Sequence, residues 1–254
     1  MNINDAVKKA YDANAEYWAE HMHAGGDSAH RFLEKPAMYS MLPNLKGKSV
    51  LCLGCGSGEE CSYLKSQGAK DVVGIDISNK LLNIAKKSLP GIEFHKMPLE
   101  KIRFKNRSFD FAYSSLAMHY VDDWDSTFNR IYGVLKKGGT FLFSTHHPAA
   151  FCGYVTRGAK TTKILGYEKY SDGTYKIFGD YFKKRVIKDI WFKRMQIEYF
   201  HRPLKDMIRP IIKSGFKIVE VEEPTLIGLA KTYDPYYYNR HSKIPTFIIF
   251  LLKK

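Results

Sequence analysis

Cysteine is scarce in this chain: four among 254 residues, three of them crowded at Cys52, Cys55 and Cys61. That is not the framework of a secreted, disulfide-stapled fold. Cys52 and Cys55 form a C-x-x-C, but no second such pair follows. A zinc site, which takes about four ligands, would have to recruit His146, His147 or Cys152 from far along the chain. Long apolar runs are missing too. The longest, "TFIIFLL" at Thr246–Leu252, falls well short of the roughly 20 residues of a membrane helix. The opening stretch "MNINDAVKKAYDANAEYW" lacks the continuous apolar core of a secretory signal. The expectation is a soluble, cytoplasmic protein without repeats or low-complexity tracts.

Hydrophobic residues make up 44% of the chain, enough for a globular core, and the net charge is +14. The charge is uneven. Residues 1–150 carry 19 Lys and Arg against 16 Asp and Glu, whereas residues 151–254 carry 21 against 10. The basic half points to an anionic partner, either a small metabolite or a nucleic-acid backbone.

Residues 4–20 and about 28–41 read as helices. From residue 48 the rhythm becomes strand, turn and helix, repeated: "SVLCLG", "DVVGID", "IEFHK", "FDFAYSS" and "TFLFSTH" as strands, with helices between. One of these helices is expected to run through "WDSTFNRIYGVLKKGG". Such alternation argues for a mostly parallel sheet covered on both faces. After His147 the rhythm stops, and 148–200 reads as an insertion favouring antiparallel strands. It resumes with a helix from "PLKDMIRPIIKSG", then the strands "FKIVEVEEP" and "PTFIIFLLKK".

The first strand feeds a glycine-rich turn, "GCGSG", and a helix, so backbone N–H groups and a positive helix end converge there. A dinucleotide fingerprint would place its third glycine at position 59, which is Glu59, and no Lys-Ser/Thr pair follows to make a P-loop. Asp76, ending the second strand, is placed to accept hydrogen bonds from both hydroxyls of a ribose.

Four stretches in order, "VLCLGCGSG", "VVGIDIS", "MPLEKIRFKNRSFDFAYSSLAMHYVDD" and "LKKGGTFLFSTHHP", resemble the class I S-adenosylmethionine-dependent methyltransferases. "YFHRPLKDMIRPIIKSGFKIVEVEEP" matches members of the small-molecule group that carry an insertion after strand five. The resemblance covers about 45–145 and 199–254. It implies an α/β, doubly wound, Rossmann-like sheet of seven strands in the order 3-2-1-4-5-7-6, with strand seven antiparallel. Residues 1–254 would form one domain, with 1–44 as a helical lid and 148–200 as a substrate cap.

Carried onto this sequence, the resemblance makes S-adenosylmethionine the cofactor. Gly54, Cys55, Gly56 and Gly58 would approach its methionyl part and ribose, and Asp76 would hold the ribose. Ile77, Leu99 and Glu100 would meet the adenine, Ser114 and Ser115 would lie near the sulfonium, and Tyr17 and Trp18 would fold over as a lid. The family usually has an acid where Cys52 stands and often another where Pro98 stands; here both are neutral.

Methyl transfer is an in-line displacement that needs a base only when the acceptor must lose a proton. His119 and His146 are the candidate catalytic residues, and Tyr120, His147 and His201 the candidate substrate contacts. The sequence lacks the (D/N)-P-P-(F/Y) of base-amine enzymes, the Pro-Cys pair of C5-pyrimidine enzymes, and acidic metal ligands after strand four. The expectation is metal-free transfer to a small acceptor of anionic type. The alternatives are an RNA-directed enzyme using the basic half, with "YDPYYYNRH" stacking bases, and a non-catalytic cofactor-binding protein.

Overall fold

The computed structural model describes residues 3–152 and 165–254. Residues 153–164 of the expected cap lie outside the described residues. The first expected helix is two, α1 (Ile3–Ala13) and α2 (Ala15–His23). They part at Asn14, whose side-chain amide donates back to the Ala10 carbonyl at 2.8 Å. Asn competes with the helix ladder in this way wherever it sits mid-helix. A single π-helical turn, His30–Glu34, runs directly into α3 (Lys35–Ser40).

The alternating unit then follows: β1 (Ser49–Leu53), α4 (Glu59–Ser66), β2 (Asp71–Asp76), α5 (Asn79–Ser88), β3 (Glu93–Lys96), β4 (Phe109–Ser114), α6 (Trp124–Val134) and β5 (Leu135–His146). After β5 come α7 (Pro148–Phe151), β6 (Gly166–Lys169), β7 (Tyr175–Phe178), β8 (Arg185–Trp191) and β9 (Met195–His201). The chain ends with α8 (Leu204–Lys213), β10 (Lys217–Glu222), α9 (Leu229–Tyr233), α10 (Pro235–His241) and β11 (Phe247–Lys253).

Seven strands form one sheet in the order β3-β2-β1-β4-β5-β11-β10. The first five are parallel, and β11 runs antiparallel to both its neighbours. This is the order and the antiparallel seventh strand that the resemblance implied. Two buried cores explain why the strands are apolar almost throughout. One packs Leu51, Leu53, Phe141 and Phe143 against Phe128 of α6 and Ile211 of α8. The other packs Cys52, Tyr113 and Leu142 against Met38 of α3 and Leu64 of α4, and it takes in Cys55 and Cys61 as small apolar residues. All four cysteines are free and buried.

One boundary differs from expectation. Helix α6 stops at Val134, and the "LKKGG" read as its end already belongs to β5. Leu135 is fully buried and pairs with Phe109, and Gly138 and Gly139 bond to Lys254, the residue after β11. Tertiary pairing overrides the helical pattern there. Among the described residues, the insertion contains two antiparallel hairpins, β6–β7 and β8–β9. The strands β6 and β7 are almost wholly exposed, while β8–β9 turns Ile187, Met195, Ile197 and Tyr199 inward onto Ala10, Ala15, Trp18 and Met22 of the first two helices.

Candidate active site

At the carboxyl edge of the parallel strands lies a cavity of about 440 Å³, within the range of small-molecule sites. Its floor is the glycine turn. The amides of Gly54 and Cys55 both donate to the Ile75 carbonyl, at 2.8 and 3.0 Å, which hangs the turn on β2. Gly54 has φ +68°, and a Cβ there would stand 2.4 Å from the Ala117 side chain. No other residue fits. Gly58, the residue preceding α4, serves packing instead: a Cβ would meet Leu89 at 2.8 Å, and the residue does not line the cavity.

Asp76 closes the floor. One carboxylate oxygen accepts from the Gly56 amide at 2.9 Å and the other from the Ser78 amide at 2.8 Å. Burial pushes its pKa up, against those hydrogen bonds. Ser78 caps α5, accepting from the Leu81 amide, and donates to Asp12 of α1 at 2.6 Å. The N-terminal helix is thereby tied to the floor.

The roof comes from distant parts of the chain. Trp18 lies over the turn, with Nε1 at 3.8 Å from where a Gly56 Cβ would be. Tyr11 and Tyr120 share a hydrogen bond of 2.8 Å between their hydroxyls. The β8–β9 tip bends through Phe192 and Lys193, both at positive φ, and presents Trp191 and Phe192 to the cavity. Positive φ at two side-chain-bearing residues stores strain that the packing of the tip must hold.

Of the expected site residues, Gly54, Cys55, Gly56, Asp76, Ile77, Leu99, Glu100, Ser115, Trp18, Tyr120 and His146 line the cavity. Gly58, Ser114, Tyr17, His119, His147 and His201 do not. Tyr17 faces away, 4.4 Å beneath the Arg194 guanidinium. His147 caps α7 by accepting from the Ala149 amide and pairs with Glu223 at 2.7 Å. His201 is held by the Tyr181 carbonyl at 2.8 Å.

His119 and His146 are stacked, with ring centroids 3.7 Å apart and planes within 6°, and Phe151 stacks on the other face of His146 at 3.8 Å. Burial drives both imidazoles down, His146 to about 3 and His119 well below its usual value, where His146 also opposes its charge. Both are therefore neutral at ordinary pH, and His119 is walled off behind its neighbour.

Other polar residues had no motif to announce them. Asp27 accepts from the backbone of His30 at 3.0 Å and lies 3.0 Å from the Nδ1 of its ring, and His30 lines the cavity. Burial opposes charge on His30, but the bond to Asp27 and its charge outweigh it and raise the ring's pKa. Against its own burial, Asp27 falls to about 2. Glu34, on the same π turn, is fully buried; its Oε1 accepts from Ser115 at 2.8 Å and Ser144 at 2.6 Å. The Ser144 hydroxyl in turn accepts from the amide of Leu116, which sits at φ +46° on the cavity wall. At the far end, His241 accepts from the Arg240 guanidinium at 2.7 Å and is bonded to Thr246. Burial and Arg240 bring its pKa to about 4. Tyr237 stacks on it at 4.0 Å.

Among known proteins, a family model described as "Methyltransferase domain" matches residues 51–143. The solved S-adenosylmethionine-dependent methyltransferase of Mesorhizobium loti is 30% identical, superposes with a TM-score of 0.73, and is covered over 99% of its length by 90% of this chain. The chain belongs to the S-adenosylmethionine-dependent methyltransferases. An uncharacterized protein of Haemophilus influenzae is 32% identical over 207 residues, 78% of this chain and 79% of its own. The malonyl-[acyl-carrier protein] O-methyltransferase of Enterobacter lignolyticus is 26% identical over 140 residues, and the chain spans only 53% of its length.

This methyltransferase uses S-adenosylmethionine, and the lining of the cavity suits it. Asp27, Glu59, Glu60, Asp76 and Glu100 line the cavity, while Arg240 is its one lysine or arginine among the described residues. An acidic pocket in a strongly basic chain fits a cofactor that carries both a sulfonium and an ammonium. Among the described residues no helix is long and apolar enough to cross a membrane.

Proposed function

We propose that this methyltransferase acts on a small molecule held in the half of the cavity beneath the β8–β9 hairpin, by in-line displacement and without a metal. The observation that carries the reading is the continuity of one cavity from Asp76 to His146, Phe151, Trp191 and Phe247. At one end, Asp76 receives the ribose, Ile77 and Leu99 flank the adenine, Glu100 meets its edge, and the Gly54–Gly56 backbone follows the methionyl part. Bound there, the cofactor supplies an electrophilic methyl group on a good leaving group. The aromatic end aligns the acceptor and excludes water, which is most of what such a displacement needs. Helices α1 and α2 with the β8–β9 hairpin act as the lid, and Trp18 is its contact with the cofactor.

The histidines divide the remaining work. A general base is most effective with a pKa near the working pH. His146, at about 3, and His241, at about 4, are too weak and serve to orient the acceptor. His30, raised by Asp27, is the proton acceptor for any substrate that must lose a proton. The relative that acts on malonyl-[acyl-carrier protein] supports a small acyl-type acceptor.

The test is release of S-adenosylhomocysteine from S-adenosylmethionine in the presence of a low-molecular-mass metabolite fraction or of RNA. Turnover with the first and none with the second is expected, lost in Asp76→Asn. Turnover on RNA alone would overturn the small-molecule reading.

A further inference from the structure

The acid that the family usually places at position 52 is missing, yet two carboxylates from other elements converge on the same region. Glu60, on the first turn of α4, is only 7% exposed and lines the cavity just past the glycine turn. Its Oε1 is buried and accepts no hydrogen bond; Lys35 Nζ stands 3.6 Å from it. Glu34 is wholly buried, and while its Oε1 takes both serine hydroxyls, its Oε2 has no partner. Both carboxylates bear on Tyr113, the β4 residue paired with Cys52, and raise its pKa in addition to the effect of burial. Glu60 precedes Cys61, which packs in one core with Cys52, and Glu34 lies behind the cavity lining, bonded to Ser115 just past β4.

A buried carboxylate oxygen without a donor is costly, and such atoms are rare unless a ligand or ion completes them. An ammonium carries three donors and a positive charge, which matches what these oxygens lack. A cysteine at position 52 offers no carboxylate to receive it. We infer that Glu60, backed by Glu34, receives the α-ammonium of the cofactor's amino-acid end and replaces the strand-end acid. The duty has moved from β1 to the first turn of α4. Lys35 balances Glu60 until the ligand arrives.

This rests on the cofactor placement proposed above, and the two can fail separately. The experiment is calorimetric titration of the full chain with S-adenosylhomocysteine and with its desamino analogue, which keeps the adenosine, sulfur and carboxylate. Wild type should bind the parent about tenfold or more tightly than the analogue, as expected for a charge-assisted contact. In Glu60→Gln that ratio should fall to about twofold, with the analogue binding as in wild type. Glu34→Gln should lower the ratio less. An unchanged ratio in Glu60→Gln, or equal loss of both ligands, would overturn the inference. Failure of wild type to bind S-adenosylhomocysteine would instead overturn the placement of the cofactor.

Discussion

Between Gly54 and Asp76 one wall of the cavity is made by a single strand–turn–helix–strand unit, whereas the opposite wall gathers Tyr11, Trp18, His30, Phe192 and Tyr237 from across the chain. The first wall is rigid because each piece is bonded to the next: turn amides to Ile75, Asp76 to the Gly56 amide, Ser78 to the start of α5. The second is held by side-chain packing and a few polar contacts, such as Ser28 donating to Asp234 at 2.8 Å. The floor should therefore govern folding and most of the cofactor affinity, and the roof, Trp18 apart, should govern turnover.

The largest effect should separate the two. His30→Gln removes the proposed base on the roof and should cut turnover about 10²- to 10⁴-fold for an acceptor that loses a proton. Affinity for S-adenosylhomocysteine should stay within a few-fold. In wild type the rate should rise with pH through the raised pKa of His30, because the ring must be neutral to act. A parallel fall in cofactor affinity would join roof to floor and break the contrast.

On the floor, Gly54→Ala combines a positive φ with a clash against Ala117, and should cost about 3 kcal/mol or more, read by chemical denaturation. Asp76→Asn keeps the shape of the turn but loses the charge. It should weaken S-adenosylhomocysteine binding about 10- to 100-fold by calorimetry, the worth of hydrogen bonds to a charged group.

The floor was legible because its signals are local. Glycines at fixed spacing and an acid at a strand end each have a physical meaning within a few residues, and both sit where expected. Gly58 is the exception, since a glycine needed for packing against Leu89 and Phe94 looks in sequence like one needed for ligand approach. The roof was legible only in part, in Trp18, Tyr120 and the antiparallel insertion. His30 and Glu34 owe their aim to a π turn, and nothing in "HRFLE" distinguishes that from an ordinary helix. The hairpin tip carries Phe192 and Lys193 where glycine or asparagine would announce a turn. The basic second half, an apparent guide to the acceptor, left the cavity itself with five acids against one arginine among its charged lining residues.

The stacked histidines mark where the acceptor end meets the core, and they set a pH dependence. His146 is held near 3 in the folded chain and titrates near 6.5 when unfolded. Below pH 6.5 the unfolded state therefore binds the extra proton, and stability falls as pH falls from 6.5 towards 3. The slope is about 1.4 kcal/mol per pH unit for this one group. His119 acts with the same sign, and Asp27 adds to it only below about pH 4. His146→Phe should flatten the slope measured by urea denaturation; an unchanged slope would mean that the ring is wetter than its stacking implies.

The finest test lies within the roof, between neighbours in sequence. Trp18 is 8% exposed, lines the cavity and lies above Gly56, while Tyr17 does not line it and packs against Arg194 and Phe192 of the hairpin tip. An indole face beside a sulfonium contributes about 0.5–2 kcal/mol. Trp18→Phe keeps an aromatic ring but loses Nε1 and the better face, so affinity for S-adenosylmethionine should drop a few-fold, and that for the uncharged-sulfur product less. Tyr17→Phe should change neither. A helix turns about 100° per residue, so adjacent positions serve opposite sides of the lid. Equal losses at both would mean that α2 binds the cofactor by holding its place against the hairpin, with no contact from either ring.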